Sequence, residues 1–204
     1  MFYILHVLII PKTSFIYLHK ICLSHTILNM QVSVDDIFKF CETRIACHVK
    51  AVNYFAGILG YAFPEHDDDK TTEPIRTGYA YIFYNNYHPD LHLMNEYFDL
   101  CNDAQQIHHK HATHHVQHYD NVQNIPDVIL YEMVSDWSSA NFEQRNIIKS
   151  PDAKPITEWF EQNMAALPWT QHQLDLIHNS LKTIQEKTDT DAVKAIWQDL
   201  LKLV

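Results

Sequence analysis

SVDDIFKFCETRIACHVKAVNYFAGILG, residues 33–60, is the stretch on which the fold turns. Ser33 followed by Asp36 matches a capping box, in which each side chain accepts from the other residue's backbone N–H and so marks where a helix begins. Ile37, Cys41, Ile45, Val52, Phe55 and Leu59 then recur at steps that keep one face of a 3.6-residue helix apolar. His48 completes that stripe between Ile45 and Val52, so its imidazole is expected to point into the core rather than into water. Gly60 supplies the stop.

Residues 64–74, PEHDDDKTTEP, interrupt the helical pattern and bring His66 and Asp67 just after the first helix. The aromatic run at 79–87 is expected to form a second helix, because no partner run for a strand accompanies it. From Met94 onward, Tyr97, Cys101, Ala104, His108, His111, His115 and His118 alternate steps of four and three. That spacing predicts one helix face whose apolar stripe becomes a histidine stripe, although a break near Thr113 would rotate His114 and His115. Pro126 and Asp127 suit the first turn of a helix carrying Ile129, Met133, Asp136 and Ala140 on one side, and Glu132 shares a face with Asp136. A polar loop is expected over residues 138–155, followed by a short helix at Trp159 and Phe160. Two more helices are expected, capped by Thr170 with Gln173 and by Thr188 with Asp191.

Composition agrees with helices. Three glycines in 204 residues leave few of the tight corners that sandwiches and barrels use, so the expected fold class is all-α, a single helical bundle. Cys22, Cys41, Cys47 and Cys101 show no metal-ribbon or disulfide-framework spacing and read as buried thiols of a reducing compartment. A net charge of -10 excludes a general binder of nucleic-acid polymers or anionic membranes, which needs concentrated Lys and Arg. The apolar run at residues 2–10 ends at Pro11 and Lys12, short of the ~20 residues of a membrane span, and no basic region precedes it. Residues 1–29 are therefore expected to be an extension of a domain at 30–204, with a peripheral helix or strand as the alternative, in a cytoplasmic protein.

Eight of the fifteen histidines lie between His88 and His118, a local excess with a local cause. A histidine on an apolar helix face, like His48, needs a bonding partner, because an unpaired buried imidazole costs roughly 1–3 kcal/mol. Asp136, between Met133 and Trp137 in an apolar helix, poses the same question for a carboxylate. Imidazole nitrogens and carboxylate oxygens together form the ligand set that Zn, Mn or Fe accepts. His88, His92, His118, His172 and His178 have no matching partners and read as surface or packing residues. Met94, Trp137, Trp159 and Trp169 read as core.

In order, His48, His66-Asp67 and Asp136 resemble the H, HD and D ligand series of the HD-domain metal-dependent phosphohydrolase superfamily. A narrower resemblance is to a functionally unassigned HD-like family with HDxSK, NxHH and EMxxDW segments. Here these read HDDDK from His66, ATHH from Ala112 and EMVSDW from Glu132, within a similarity running from His48 to about Leu181. Asp69 stands in place of the family serine and Ala112 in place of its asparagine, which bears on the residues that support the ligands.

The resemblance implies an HD-like helical bundle holding one or two divalent metals (Mn, Fe or Zn) through His48, His66, Asp67, Asp136 and some of the central histidines. His114 and His115 are preferred, with His108 or His109 behind them; spacing alone does not choose among His108, His109, His111, His114 and His115. It further implies hydrolysis of a small phosphorylated substrate such as a nucleotide; charge and position suggest Asp67 as a bridge between two metals and Lys70 or Arg76 as a contact to the phosphate. The alternatives are a di-iron oxygenase on the same scaffold and a non-catalytic metal-binding protein.

Overall fold

The capping box at Ser33 forms as the sequence dictates: Ser33 accepts from Asp36 N, and Asp36 accepts from Ser33 N and Oγ. It starts α1 (Val34–Leu59), which ends at Gly60 in the left-handed conformation, φ 86°. The computed structural model describes residues 32–204, so the expectation for residues 1–29 lies outside the described residues.

All regular structure among the described residues is helical. After α1 come a 3-10 turn (Asp68–Thr71), α2 (Ile75–Tyr87), the short α3 (Leu93–Glu96), α4 (Phe98–His111) and α5 (Asp127–Phe142). Helix α5 runs on into a π-helical turn (Glu143–Ile148), and α6 (Ile156–Asn163), α7 (Gln171–Lys187), α8 (Thr190–Ile196) and α9 (Gln198–Leu201) follow. Helix α1 lies at the centre and packs against α2, α5 and α7, while α4 lies across α2. Its apolar face meets a core that includes the fully buried Trp197 and Phe55, Leu130, Met133 and Phe160, the last four each contributing roughly 1.5–3 kcal/mol through the area removed from water. Cys41, Cys47 and Cys101 are buried thiols. No described helix is long and apolar enough to cross a membrane.

Gly78 permits the α2–α4 crossing. A Cβ there would overlap Ala104 Cβ and come 2.7 Å from Leu100 O, so α4 lies directly on the α2 backbone. A buried ion pair ties the centre together from another side. Arg44 of α1 reaches Glu143 through Nε to Oε1 (3.1 Å) and Nη2 to Oε2 (2.5 Å), Tyr87 donates to Glu143 Oε1 (2.8 Å), and Phe83 lies under the guanidinium at 4.0 Å.

Three expectations differ from the structure. The histidine helix stops at His111, with Ala112 extended at φ -76°, ψ 122°, so the single face from Met94 to His118 does not form. A continuous helix would carry His115 about 10 Å along the axis from His108; instead their Nε2 atoms are 2.8 Å apart. The loop expected over residues 138–155 is helical as far as Ile148. Its serines are satisfied inside the bundle, Ser138 Oγ on Val134 O (2.7 Å) and Ser139 Oγ at His48 Nδ1 (3.0 Å), so their polarity does not break the helix. The cap of α8 is Asp189, which accepts from Asp191 N and Ala192 N, while Thr188 Oγ1 bonds back to Ile184 O.

Candidate metal centre

Four pieces of chain converge on one buried place. Helix α1 presents His48 through the stripe that the sequence marks. The connection after α1 delivers His66 and Asp67, the latter at φ 63°, a left-handed conformation that aspartate tolerates better than most residues. Helix α4 contributes His108 from its last turn, and the turn after it brings back His114 and His115. Helix α5 supplies Glu132 and Asp136, one turn apart on the inward face.

The distances suit ions. Ligand atoms ~2.1 Å from one ion lie about 3.0 Å apart along an octahedral edge and about 3.4 Å apart in a tetrahedron. Around the first point, His48 Nε2 is 3.0 Å from Asp136 Oδ1 and 3.6 Å from Asp67 Oδ2, and His66 Nε2 is 3.5 Å from Asp136 Oδ1. Around the second, His108 Nε2 and His114 Nε2 are 3.5 and 3.4 Å from Asp67 Oδ1, with His115 Nε2 2.8 Å from His108 Nε2. His48, His66 and Asp67 form one group able to hold a metal ion, and His108, His114 and His115 another. Asp67 recurs with Asp69 and His108, while His66, His114 and Asp136 span the two points.

The unsatisfied atoms point the same way. His66 Nε2 and His114 Nε2 are buried without a hydrogen bond and face this space, while Asp67 Oδ1 beside them is met by Lys70 Nζ at 2.7 Å. Leaving two such imidazole nitrogens unpaired in one spot costs about 1–3 kcal/mol each, and a cation is a partner able to satisfy both.

Protonation favours cation binding. Burial alone would raise the Asp67 carboxyl, but Lys70 and His66 hold it well below the usual carboxylate range, and the hydrogen bond from His48, with His66 close by, does the same for Asp136. Burial, joined by the Arg44 charge, pushes His48 down, and burial likewise depresses His108 and His115, leaving these imidazoles neutral. His66 is the exception. Burial lowers it, but Asp67, Asp136 and Glu132 outweigh burial and push it up to about 10.

Partners behind the candidate ligands fix the rings. His66 Nδ1 lies 3.0 Å from Glu132 Oε1, His108 Nδ1 lies 2.7 Å from Asp69 Oδ2, and His48 Nδ1 meets Ser139 Oγ. In the sequence, Glu132 had shown a shared face with Asp136 and its place at the head of EMVSDW, Asp69 only a departure from a family pattern and Ser139 nothing. A carboxylate one helical turn before a candidate ligand was the available signal for Glu132.

Lys70 is buried, 2.7 Å from both Asp67 oxygens, hydrogen-bonded to Oδ2 and over the Tyr79 ring at 4.6 Å. It lines neither cavity beside the cluster and is placed to hold Asp67. Arg76 pairs with Glu42 on the surface, far from the role its charge had suggested. Of the remaining histidines, His111 is exposed, His118 bonds Lys110 O, His172 pairs with Asp127, His178 pairs with Glu161 and His88 lies against Tyr84. Trp169 is core as expected, but Trp137 and Trp159 are half-buried and wall a cavity of about 290 Å³ that opens onto His115 and Asp136. A second, acid-lined cavity of about 490 Å³ reaches His66, Asp67 and His114 beside Glu65, Asp68 and Asp69.

A family of unknown function, DUF5662, has a model that matches residues 23–190, and the chain belongs to that family. No curated protein and no solved structure matches it.

Proposed function

We propose that this member of DUF5662 is a metal-dependent phosphohydrolase acting on a small phosphoester. The observation that carries the reading is the buried convergence of imidazole and carboxylate ligand atoms, with His66 Nε2 and His114 Nε2 lacking a hydrogen bond, around a space bordered by two cavities. His48, His66, Asp67 and Asp136 would hold one divalent ion, and His108, His114 and His115 a second, with Asp67 shared. Ions at these points would supply water activation at neutral pH and Lewis-acid polarisation of a phosphate oxygen. Lys70 keeps Asp67 ionised and oriented. Glu132 and Asp69 fix the His66 and His108 rings so that their Nε2 atoms face inward. The ordered H, HD and D series, which resembles that of the HD superfamily, adds support.

A second reading is oxygen chemistry at a di-iron pair. It is favoured by the same mixture of imidazole and carboxylate donors, and by the absence of any Lys or Arg from the two cavity linings.

Elemental analysis of untagged protein, followed by a screen of phosphoesters with matched metals, tests the proposal. Near-stoichiometric transition metal is expected, with hydrolysis supported by Mn or Zn. Asp67→Ala should lose both tight metal binding and turnover, and His172→Ala neither. Metal retained by Asp67→Ala would overturn the ligand set, and iron with oxygen consumption but no hydrolysis would favour the second reading.

A further inference from the structure

The cavity walled by Trp137 and Trp159 lies outside the ligand set, yet it opens onto two of its members, His115 and Asp136. Trp137 follows Asp136 directly on α5 and rests on the fully buried Phe160, with ring centroids 6.0 Å apart. Trp159 comes from α6, its ring 5.8 Å from that of Trp137 and inclined by 53°, so the two indoles make a wedge rather than a stacked, closed pair. Met164 adds a soft apolar wall. At about 290 Å³ the space lies at the lower end of the ~300–1,000 Å³ typical of small-molecule sites, room for one ring system and not for a long chain.

Charge narrows the occupant further. The lining holds no Lys or Arg, and its one carboxylate, Asp136, belongs to the candidate ion site. A second anionic group would find no partner here. The neighbouring cavity, with Glu65, Asp68, Asp69 and Glu132 in its walls, would repel one. The edge of the wedge is polar: the side chains of His109 and Gln144 face it and make no hydrogen bond within the protein among the described residues.

We infer that this cavity is the leaving-group pocket, and that the substrate is a phosphate monoester of an alcohol bearing one uncharged planar ring, aromatic or heteroaromatic. The inference rests on the phosphohydrolase reading. In the reaction the P–O bond to the ring-bearing alcohol breaks and water oxygen forms the new P–O bond. One water proton ends on the released alcohol, giving the free alcohol and inorganic phosphate. Trp137 and Trp159 hold the ring, and His109 and Gln144 offer hydrogen bonds to its edge.

The test uses phosphonates, whose C–P bond is not hydrolysed, and the full chain loaded with Mn2+. Titration calorimetry should give phenylphosphonate an affinity about tenfold above that of methylphosphonate, the scale of one aromatic stacking contact. Trp159→Ala should reduce that ratio to about twofold. Equal affinities in the wild type would overturn the inference and leave the phosphate reading standing. A ratio undiminished in both Trp159→Ala and Trp137→Ala would overturn it as well. Binding of neither phosphonate would remove both readings together.

Discussion

Glu132 Oε1 stands 3.0 Å from His66 Nδ1, and the same oxygen lies 3.5 Å from His114 Nδ1. One carboxylate therefore stands behind two imidazoles of the candidate cluster. Its hydrogen bond at His66 Nδ1 turns that ring's Nε2 toward the cluster, and its proximity to His114 Nδ1 supports the same orientation there.

Glu132→Ala should therefore weaken metal binding about 10- to 100-fold, the usual range for loss of such a supporting partner, without removing a ligand. Glu132→Gln, which keeps an acceptor oxygen but not its charge, should fall between Ala and wild type. Competition with a chromophoric chelator reads both, and circular dichroism establishes that each variant is folded. Wild-type affinity in Glu132→Ala would show that the two rings need no such support.

Where periodicity was strict, the sequence was legible. The α1 stripe placed His48 inward, and the Ser33–Asp36 and Thr170–Gln173 capping boxes both form. The central histidines were harder because their spacing satisfied a helix that the chain does not complete: tertiary convergence on Asp67 turns it back after His111. Residues 138–148 misled for a different reason. Serine reads as loop, yet in α5 the hydroxyls bond to carbonyls one turn back or to His48, contacts no local pattern announces. The tryptophan wedge was hidden because an aromatic residue at helical spacing has the same signature whether it fills a core or walls a cavity.

The α2–α4 crossing gives a second prediction. Gly78→Ala must push Ala104 and the Leu100 carbonyl away, so it should destabilise the fold by about 1–3 kcal/mol and loosen His108 at the end of α4. Gly57→Ala is the contrast: its Cβ meets nothing within 4 Å on an exposed helical face, and it should stabilise by up to about 1 kcal/mol. Urea midpoints at constant slope measure both. Equal midpoints for the two variants would mean that the crossing tolerates a methyl group.

His66 gives the last prediction, because its proton and a metal ion compete for the same nitrogen. Its imidazole is pushed up to about 10: burial opposes this, but Asp67, Asp136 and Glu132 prevail. The metal-free protein at pH 7.5 is therefore expected to carry a His66 imidazolium. With the folded pKa above the unfolded value of about 6.5, the stability from this group is complete below pH 6.5 and lost as pH rises through 10. Metal-free protein should accordingly lose stability from pH 7 toward 10, whereas metal-loaded protein should not. Because His48, His108 and His115 are already neutral, binding at the first point should release about one proton, and apparent affinity should climb roughly tenfold per pH unit between 7 and 9. Calorimetry in Hepes and in Tris, whose ionisation enthalpies differ, counts the released proton. Identical heats in the two buffers would show that His66 is neutral before the metal arrives. His66→Gln should abolish the slope along with that ligand, while His178→Ala, paired with Glu161 on the surface, should leave it unchanged.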